Sequence, residues 1–386
     1  MRLILAAPAF YPDSAGGAAR QARILAEALH RAGVDVTLAT PTISKANPTS
    51  EETSFGRIER FYTPAYPNLG GRHFMSFLRW TLWFRNKFGS ARYSGIPIYV
   101  FHARLHALGP ALAAMSGRSP LLLKLGGGGE ASDFAALREK KFFYGRFVQQ
   151  LLVKRVNRFV ANGSQIVQDL HDLGVPAERV AAFSNGVVLP PRDELEASLE
   201  KRTGDRFIFT GRIVADKRIH VLLDAALRLA QGDKPARMVF LGDGPDRERL
   251  MGLAGAADPD LISFPGHASD VYPELSKSDF FVSASMREGQ SNSLLEAMSM
   301  GVIPIVYAAS GVADVVDHGK NGFIVEASEP EAFAEAMRTA MALSPAARRE
   351  IAEAGRAFAE QNIGIDAIAG KTRQTLLEVI EEMKAA

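Results

Sequence analysis

Two rhythms of apolar residues alternate along the chain. Short apolar runs bounded by glycine or proline read as buried strands, and stretches in which apolar side chains return every three or four positions read as helices. The first run, Arg2–Ala7, leads through Gly16-Gly17 into a helix with Ile24, Leu25, Ala28 and Leu29 on one face. Gly33 ends that helix, and Val34–Ala39 is the next strand, completing a βαβ unit. Further strands are expected at Pro97–Phe101, Leu121–Leu125 and Arg158–Ala161, with helical segments between them. Pro190-Pro191 and the charged stretch after it read as a linker.

A second alternating series begins at Arg206–Thr210. It continues through helix Ile219–Ala230, strand Arg237–Leu241, a helix near Asp246–Leu253, strands Leu261–Phe264 and Asp279–Ser283, helix Ser293–Met300 and strand Val302–Val306. Strands alternating with helices of this length imply parallel sheets covered on both faces. The expected fold class is therefore α/β, with two Rossmann-like doubly wound domains facing across a cleft. Their expected extents are 1–190 and 191–365, and a last helix in 366–386 crosses back to the first domain.

Composition narrows the class. The chain has 386 residues, 47 % of them hydrophobic and 23 % charged, which suits two soluble domains rather than a membrane span or a disordered chain. With no cysteine, disulfides and thiolate metal sites are excluded, and a reducing compartment is permitted. The opening apolar run is interrupted by Tyr11-Pro12-Asp13, so it reads as a first strand rather than a signal peptide. The net charge of +2 hides an asymmetry: residues 60–129 hold nine Lys or Arg and no acid, and the second half is acidic. Such a basic first half points to an anionic partner, for which a membrane surface, a phosphorylated acceptor or a nucleic acid each qualify.

Several segments could carry chemistry. Glu288-Gly-Gln-Ser-Asn-Ser-Leu-Leu-Glu296 lies between a strand and a helix start, where the amides of Ser291, Asn292 and Ser293 would face a phosphate. Glu288 and Glu296 suit sugar hydroxyls, or are simply solvated acids beside a helix end. Arg212 and Lys217 follow the strand ending at Gly211, where two fixed cations could hold a diphosphate; a solvated basic loop is the alternative. Gly242-Asp243-Gly244, Gly16-Gly17 and Gly126–Gly129 also end strands and are suggestive only. His102 and His106 have metal-like spacing, but His102 ends a strand and no acid lies nearby in sequence. Phe74–Lys87 joins Trp80, Trp83 and Phe84 to Arg79 and Arg85; it is either an interfacial membrane helix or a helix of the first domain lining an acceptor pocket.

Taken in order, these motifs resemble the family-four retaining glycosyltransferases over nearly the whole chain. The Gly16-Gly17 loop resembles the family's opening. Val175-Pro-Ala-Glu-Arg-Val with Ser184-Asn-Gly-Val187 resembles its inter-domain "PNGVD" region, with Val188 in place of the aspartate. Gly211-Arg212…Lys217, Gly242-Asp-Gly-Pro245 and the Glu288…Glu296 frame follow in the family's order. The resemblance implies a GT-B fold and a metal-independent retaining hexosyltransferase, with a UDP- or GDP-linked nucleotide sugar as co-substrate and no cofactor. It implies that Arg212 and Lys217 hold the leaving diphosphate, Glu288 the donor sugar and Glu296 the ribose. Ser291, Asn292 and Ser293 would offer amides to the phosphates, and Gly211, Gly242, Gly289, Gln290 and Leu294 would join them in the donor site. Gly266 and His267 would lie near the base, and Gly16 and Gly17 would close from the first domain.

This chain departs from the family on the acceptor side. Arg104 stands where "His-x-His" would place its second histidine after His102, and Gly126-Gly127 replaces "His-Gly". With no enzymatic nucleophile in view, the expected course is same-face transfer, in which the departing phosphate takes the acceptor's proton. The expected acceptor is a glycan or lipid-linked molecule, the expected place the cytoplasm, peripheral to the inner face of the membrane. The runner-up activity is a nucleotide-sugar 2-epimerase of similar fold, which would need an acid/base set at C2 of the sugar. Nucleic acid is disfavoured as a partner by the acidic second half and the lack of a recognised motif.

Overall fold

The computed structural model describes residues 1–14, 16–129, 132–140, 144–232, 235–255, 257–286, 290–309 and 311–385, with only the backbone of Arg72. They form two compact units. Unit 1 is Met1–Gly186 with Ile365–Ala386, and unit 2 is Val187–Gly364.

Unit 1 is built on an eight-stranded sheet. Its strands are β1 (Arg2–Ala6), β2 (Asp35–Thr42), β3 (Ser50–Thr53), β4 (Gly56–Tyr62), β5 (Ile98–Phe101), β6 (Leu121–Lys124), β7 (Arg158–Ala161) and β8 (Val180–Ala182), in the order β3-β4-β2-β1-β5-β6-β7-β8. All pairings are parallel except β3 with β4, a polar hairpin at one edge that the apolar rhythm did not reveal. Successive strand residues serve opposite faces. Ile98, Val100, Leu121 and Leu123 pack with helices α2 (Phe74–Phe88), α3 (Leu108–Gly117), α4 (Asp133–Arg138), α5 (Tyr144–Arg155) and α6 (Ser164–Asp172). Tyr99, Phe101, Leu122 and Val160 face α1 (Gly17–Arg31).

Unit 2 has six parallel strands: β9 (Arg206–Thr210), β10 (Arg237–Leu241), β11 (Ile262–Gly266), β12 (Phe280–Ser283), β13 (Ile303–Tyr307) and β14 (Phe323–Val325), in the order β11-β10-β9-β12-β13-β14. Helices α7 (Arg192–Lys201), α8 (Ile219–Ala230), α9 (Arg247–Ala254), α10 (Tyr272–Leu275), α11 (Asn292–Ser299), α12 (Pro330–Met341) and α13 (Pro345–Phe358) complete it. Here too Phe207 and Phe209 serve one apolar cluster while Ile208 serves the other, so the sheet is covered on both faces.

The stretch after Pro191, expected as a linker, is α7. Its charges mask a helix that buries Leu195 and Ser198. Arg192 bonds Glu353 and Glu360, and Arg356, itself buried, donates to the carbonyls of Ser299 and Pro190. The chain then re-enters unit 1 as α14 (Ile365–Ala385), which adds Ile365, Ile368, Leu376 and Val379 to the apolar face beneath α1. Arg31–Asp366 and Arg158–Glu382 ion pairs, both 2.6 Å, flank that packing.

Helix α2 turns most of its aromatic run into unit 1. Trp80, Phe84 and Phe88 are fully buried in unit 1, and the Trp80 indole donates to the His106 carbonyl at 2.9 Å. These rings therefore belong to the core rather than to a membrane interface. Trp80→Ala would leave a cavity and an unpaired carbonyl, and is expected to lower the unfolding free energy by about 3–5 kcal/mol. Urea denaturation followed by circular dichroism measures it.

Candidate functional site

In unit 2 the candidate residues gather at the carboxyl ends of the strands, where doubly wound sheets bind ligands. The loops after β9, β10 and β11 are locked side by side. The Gly211 amide donates to Leu241 O (3.0 Å), Ile213 N–H to Asp243 O (2.8 Å) and Gly242 N–H to Gly266 O (2.8 Å). Gly242 and Gly244 have φ of +154° and +157°. A Cβ on Gly242 would fall 1.8 Å from Gly211 O, and one on Gly244 2.2 Å from Ile213 O, so neither loop could approach the other with a side chain there.

That interlock presents the two cations. Lys217 lies in a short 3-10 turn after the Gly211-Arg212 corner and is half-buried, while Arg212 is exposed. Burial, then the Arg212 charge, pushes the Lys217 ammonium down to about 8, with Asp216 opposing. Arg218, at φ +51°, turns the chain into α8. Its guanidinium reaches Met286 Sδ (2.9 Å) and Ser328 O (3.1 Å), which ties this corner to the segment leading towards α11.

Helix α11 closes the third side. Ser291 is its N-cap, with Oγ accepting from Leu294 N–H at 3.5 Å. The helical ladder starts with Leu295 N–H on Ser291 O (3.2 Å), so the amides of Asn292 and Ser293 lie ahead of it at the positive end of the dipole. Ser293 Oγ is 3.8 Å from where a Cβ on Gly211 would stand, which brings this tip to the β9 loop. Gln290, Ser291 and Asn292 are half-buried, Leu294 is core, and Glu296 is buried with 6 % exposure. His267 is exposed beyond Gly266. Glu288 and Gly289 lie outside the described residues.

In unit 1 the structure brings His102, Arg104 and Gly126 together around a residue the sequence reading missed. Asp133, fully buried at the start of α4, accepts from Arg104 Nε (2.6 Å), Gly126 N–H (2.8 Å) and Ala103 N–H (3.1 Å), and lies 3.3 Å from His102 Nδ1. Burial alone would raise its pKa, but His102, Arg104 and the Gly126 amide outweigh burial and hold the carboxyl well below the usual carboxylate range. The acid absent near His102 in sequence is thus supplied from α4. The signal available was Ser132-Asp133, a capping serine and first-turn acid after the glycine run; Ser132 Oγ does cap α4.

His102 has φ +68°, and its ring fills the space a Cβ on Gly126 would need, 1.8 Å from Cε1. His106 turns away from it. It is fully buried, its ring nitrogens 2.9 Å from Asn68 Oδ1 and Phe101 O, and burial pushes it down to about 3. The two histidines therefore do not face one ligand. Gly127 is buried beside them, and Gly16 and Gly17 begin α1.

Comparison with known proteins gives a consistent picture. The "Glycosyl transferase 4-like domain" profile matches residues 16–186, and the "Glycosyl transferases group 1" profile matches residues 191–358. Among curated relatives, the lipopolysaccharide core biosynthesis glycosyltransferase LpsE of Rhizobium meliloti is 29 % identical, covering 51 % of this chain and 57 % of the relative. The capsular polysaccharide biosynthesis glycosyltransferase CapM of Staphylococcus aureus is 29 % identical over 37 % and 39 %. The chain spans 18 %, 57 % and 43 % of the lengths of the first three curated relatives.

Two solved structures share the fold throughout. Sucrose-phosphate synthase from Thermosynechococcus elongatus has a TM-score of 0.79 at 20 % identity, covering 99 % and 100 % of the two chains. The HepE protein of Anabaena in complex with UDP has a TM-score of 0.70 at 18 % identity, covering 98 % and 100 %. With both sheets, the returning helix and the motifs in their order, the chain belongs to the group 1 (family-four) glycosyl transferases of GT-B fold.

Proposed function

We propose that this chain is a retaining, metal-independent hexosyltransferase that takes a sugar from a nucleotide diphosphate sugar, held by unit 2, to a glycan or lipid-linked acceptor taken by unit 1. The observation that carries the reading is the corner in unit 2, where Arg212, Lys217 and the α11 tip meet around interlocked strand-end loops while buried Glu296 follows on α11. Two cations and a helix dipole suit a diphosphate and the charge that grows on it as it leaves. Glu296 would take the ribose hydroxyls, and Glu288 the sugar hydroxyls. Gly266 and His267 would flank the base. The leaving phosphate itself would accept the acceptor's proton, so the protein contributes position and electrostatics. UDP is favoured as the nucleotide, because the HepE neighbour was solved with UDP and with UDP-glucose. Relatives named for lipopolysaccharide core and capsule synthesis support a cell-envelope acceptor.

Unit 1 also suits a place at the cytoplasmic face of the membrane. Among the described residues no helix is long and apolar enough to cross one. Yet Phe74, Met75 and Leu82 stand exposed on α2 with Arg79 and Arg85, and Leu69 and Phe147 are exposed nearby. Apolar side chains flanked by cations suit an anionic lipid surface.

Thermal-shift screening with UDP-, GDP- and ADP-sugars tests the donor reading: a rise with UDP-sugars that is lost in Lys217→Met is expected, and no rise with any of them contradicts it. Because Lys217 loses its proton near pH 8, kcat/KM for the donor is expected to fall as pH rises through that value, and this limb should be absent in Lys217→Met. Removing one such cation should cost about 10²–10³-fold in rate. For the membrane reading, co-sedimentation with vesicles containing phosphatidylglycerol should be lost in Phe74→Ser/Met75→Ser/Arg79→Glu; unchanged sedimentation contradicts it.

A further inference from the structure

Lys124 ends β6 and is 95 % removed from solvent, with 5 % relative exposure. By strand alternation it shares the face of Leu122, and its sheet partners Phe101 and Val160 lie in one apolar cluster with Ala19 and Ala22 of α1. Its Nζ stands 5.6 Å from the Phe101 ring centroid, and among the described residues it bonds to no carboxylate. Burial is the one cause of its lowered pKa, about 7, with no neighbouring charge contributing. A cation buried without a counter-charge destabilises the fold, and the face of Phe101 offsets only part of that cost.

The surroundings supply the rest of a binding site. Asn162, two residues beyond Val160, donates through Nδ2 to Asn185 Oδ1 (3.2 Å), and its own buried Oδ1 has no partner. The adjoining Gly186 exchanges two hydrogen bonds with Gln21 in the second turn of α1, from Gln21 Nε2 to Gly186 O (2.8 Å) and from Gly186 N–H to Gln21 Oε1 (3.1 Å). This chain of contacts holds the start of α1 over the carboxyl ends of β6 and β7. That helix has no side-chain cap and no acid in its first turn. Its ladder begins with Arg20 N–H on Gly16 O (3.0 Å), so the amides of residues 17–19 lie ahead of it.

We propose that Lys124, Asn162 and the N-terminus of α1 form an oxyanion subsite of unit 1 that takes a phosphate or carboxylate carried on a hydroxylated ligand. Lys124 pairs with the anion, the α1 dipole adds to the field, and Asn162 Oδ1 accepts from a ligand hydroxyl. The inference deepens the acceptor reading of unit 1, and rests on it only for the source of the anion.

The test uses the full chain with lysines labelled with ¹³C at Cε, the Lys124 resonance being the one missing from Lys124→Met, or from Lys124→Gln if the first variant does not accumulate. The titration midpoint of Lys124 is expected to rise by about one pH unit or more in saturating anion, a tenfold preference for the protonated amine. Three probes separate the sources. A rise with inorganic phosphate supports a phosphorylated acceptor, a rise with glucuronate supports an acidic sugar, and a rise with UDP alone assigns the oxyanion to the donor. A midpoint unmoved by all three overturns the proposal.

Stability gives a second readout. The amine titrates lower in the folded than in the unfolded chain, so its penalty is full below about pH 7 and fades towards the ordinary lysine value. Lys124→Met is therefore expected to raise Tm at pH 7, by a margin that narrows as pH rises. A lowered Tm would reveal a structural partner for the lysine and overturn the proposal. UDP affinity, measured by calorimetry on the same samples, reports on the donor site of unit 2 separately.

Discussion

The carbonyl of Gly211 occupies the space that any side chain at residue 242 would need, and the layout of unit 2's candidate site depends on that contact. It lets the ends of β9 and β10 meet backbone to backbone, with Ile213 and Asp243 bonded across the gap. Arg212 and Lys217 are then delivered from a corner that cannot slide. A mobile basic loop would lose backbone entropy on closing around the proposed diphosphate; a corner fixed by its backbone has lost that freedom on folding. Ser293 beside Gly211 brings a helix tip to the same corner, so two cations and a helix dipole stand together there.

Unit 1 handles charge differently. At the carboxyl ends of β5 and β6 lie a buried anion, Asp133, satisfied by His102, Arg104 and two amides, and a buried cation, Lys124, with no carboxylate partner among the described residues. The first is a construction element: it fixes the strained turn at His102 and the glycine run facing it. The second carries an unmet demand for negative charge in a half of the chain already rich in Lys and Arg. On the proposed readings the two units would meet anions by different means, one with a preformed surface corner and the other with a charge kept from water.

How much of this could be read from the sequence depended on the range of the interactions. The alternation of strands and helices was legible because it is local: β9, α8 and β10 lie where the apolar rhythm put them. Helix α11 starts at Asn292, one residue from the expected Ser293, because the serine cap before an apolar stripe is a local signal too. The reading failed where partners are distant. Asp133 reaches His102 and Arg104 across the sheet, and nothing adjacent to either announces it. Helix α7 was hidden because its apolar side is short, Leu195 with Leu199 beside it, and is set among charges such as Arg192, which bonds α13 and the residues after it. The hairpin β3–β4 is half polar and sits at an edge, where period-two burial is weak. Trp80 could not be assigned to core or surface until the backbone showed which side of α2 meets α3 and β5.

The return of the chain to unit 1 at Ile365 carries a consequence for biogenesis. The apolar face that α1 leaves beside Leu122 and Val160 is finished by Ile368, Leu376 and Val379, which the ribosome makes only after all of unit 2. Although unit 1 is encoded first, unit 2 is the first to hold its complete set of core residues. Until the last helix emerges, the nascent chain carries an open sheet face, the kind of surface that chaperones bind.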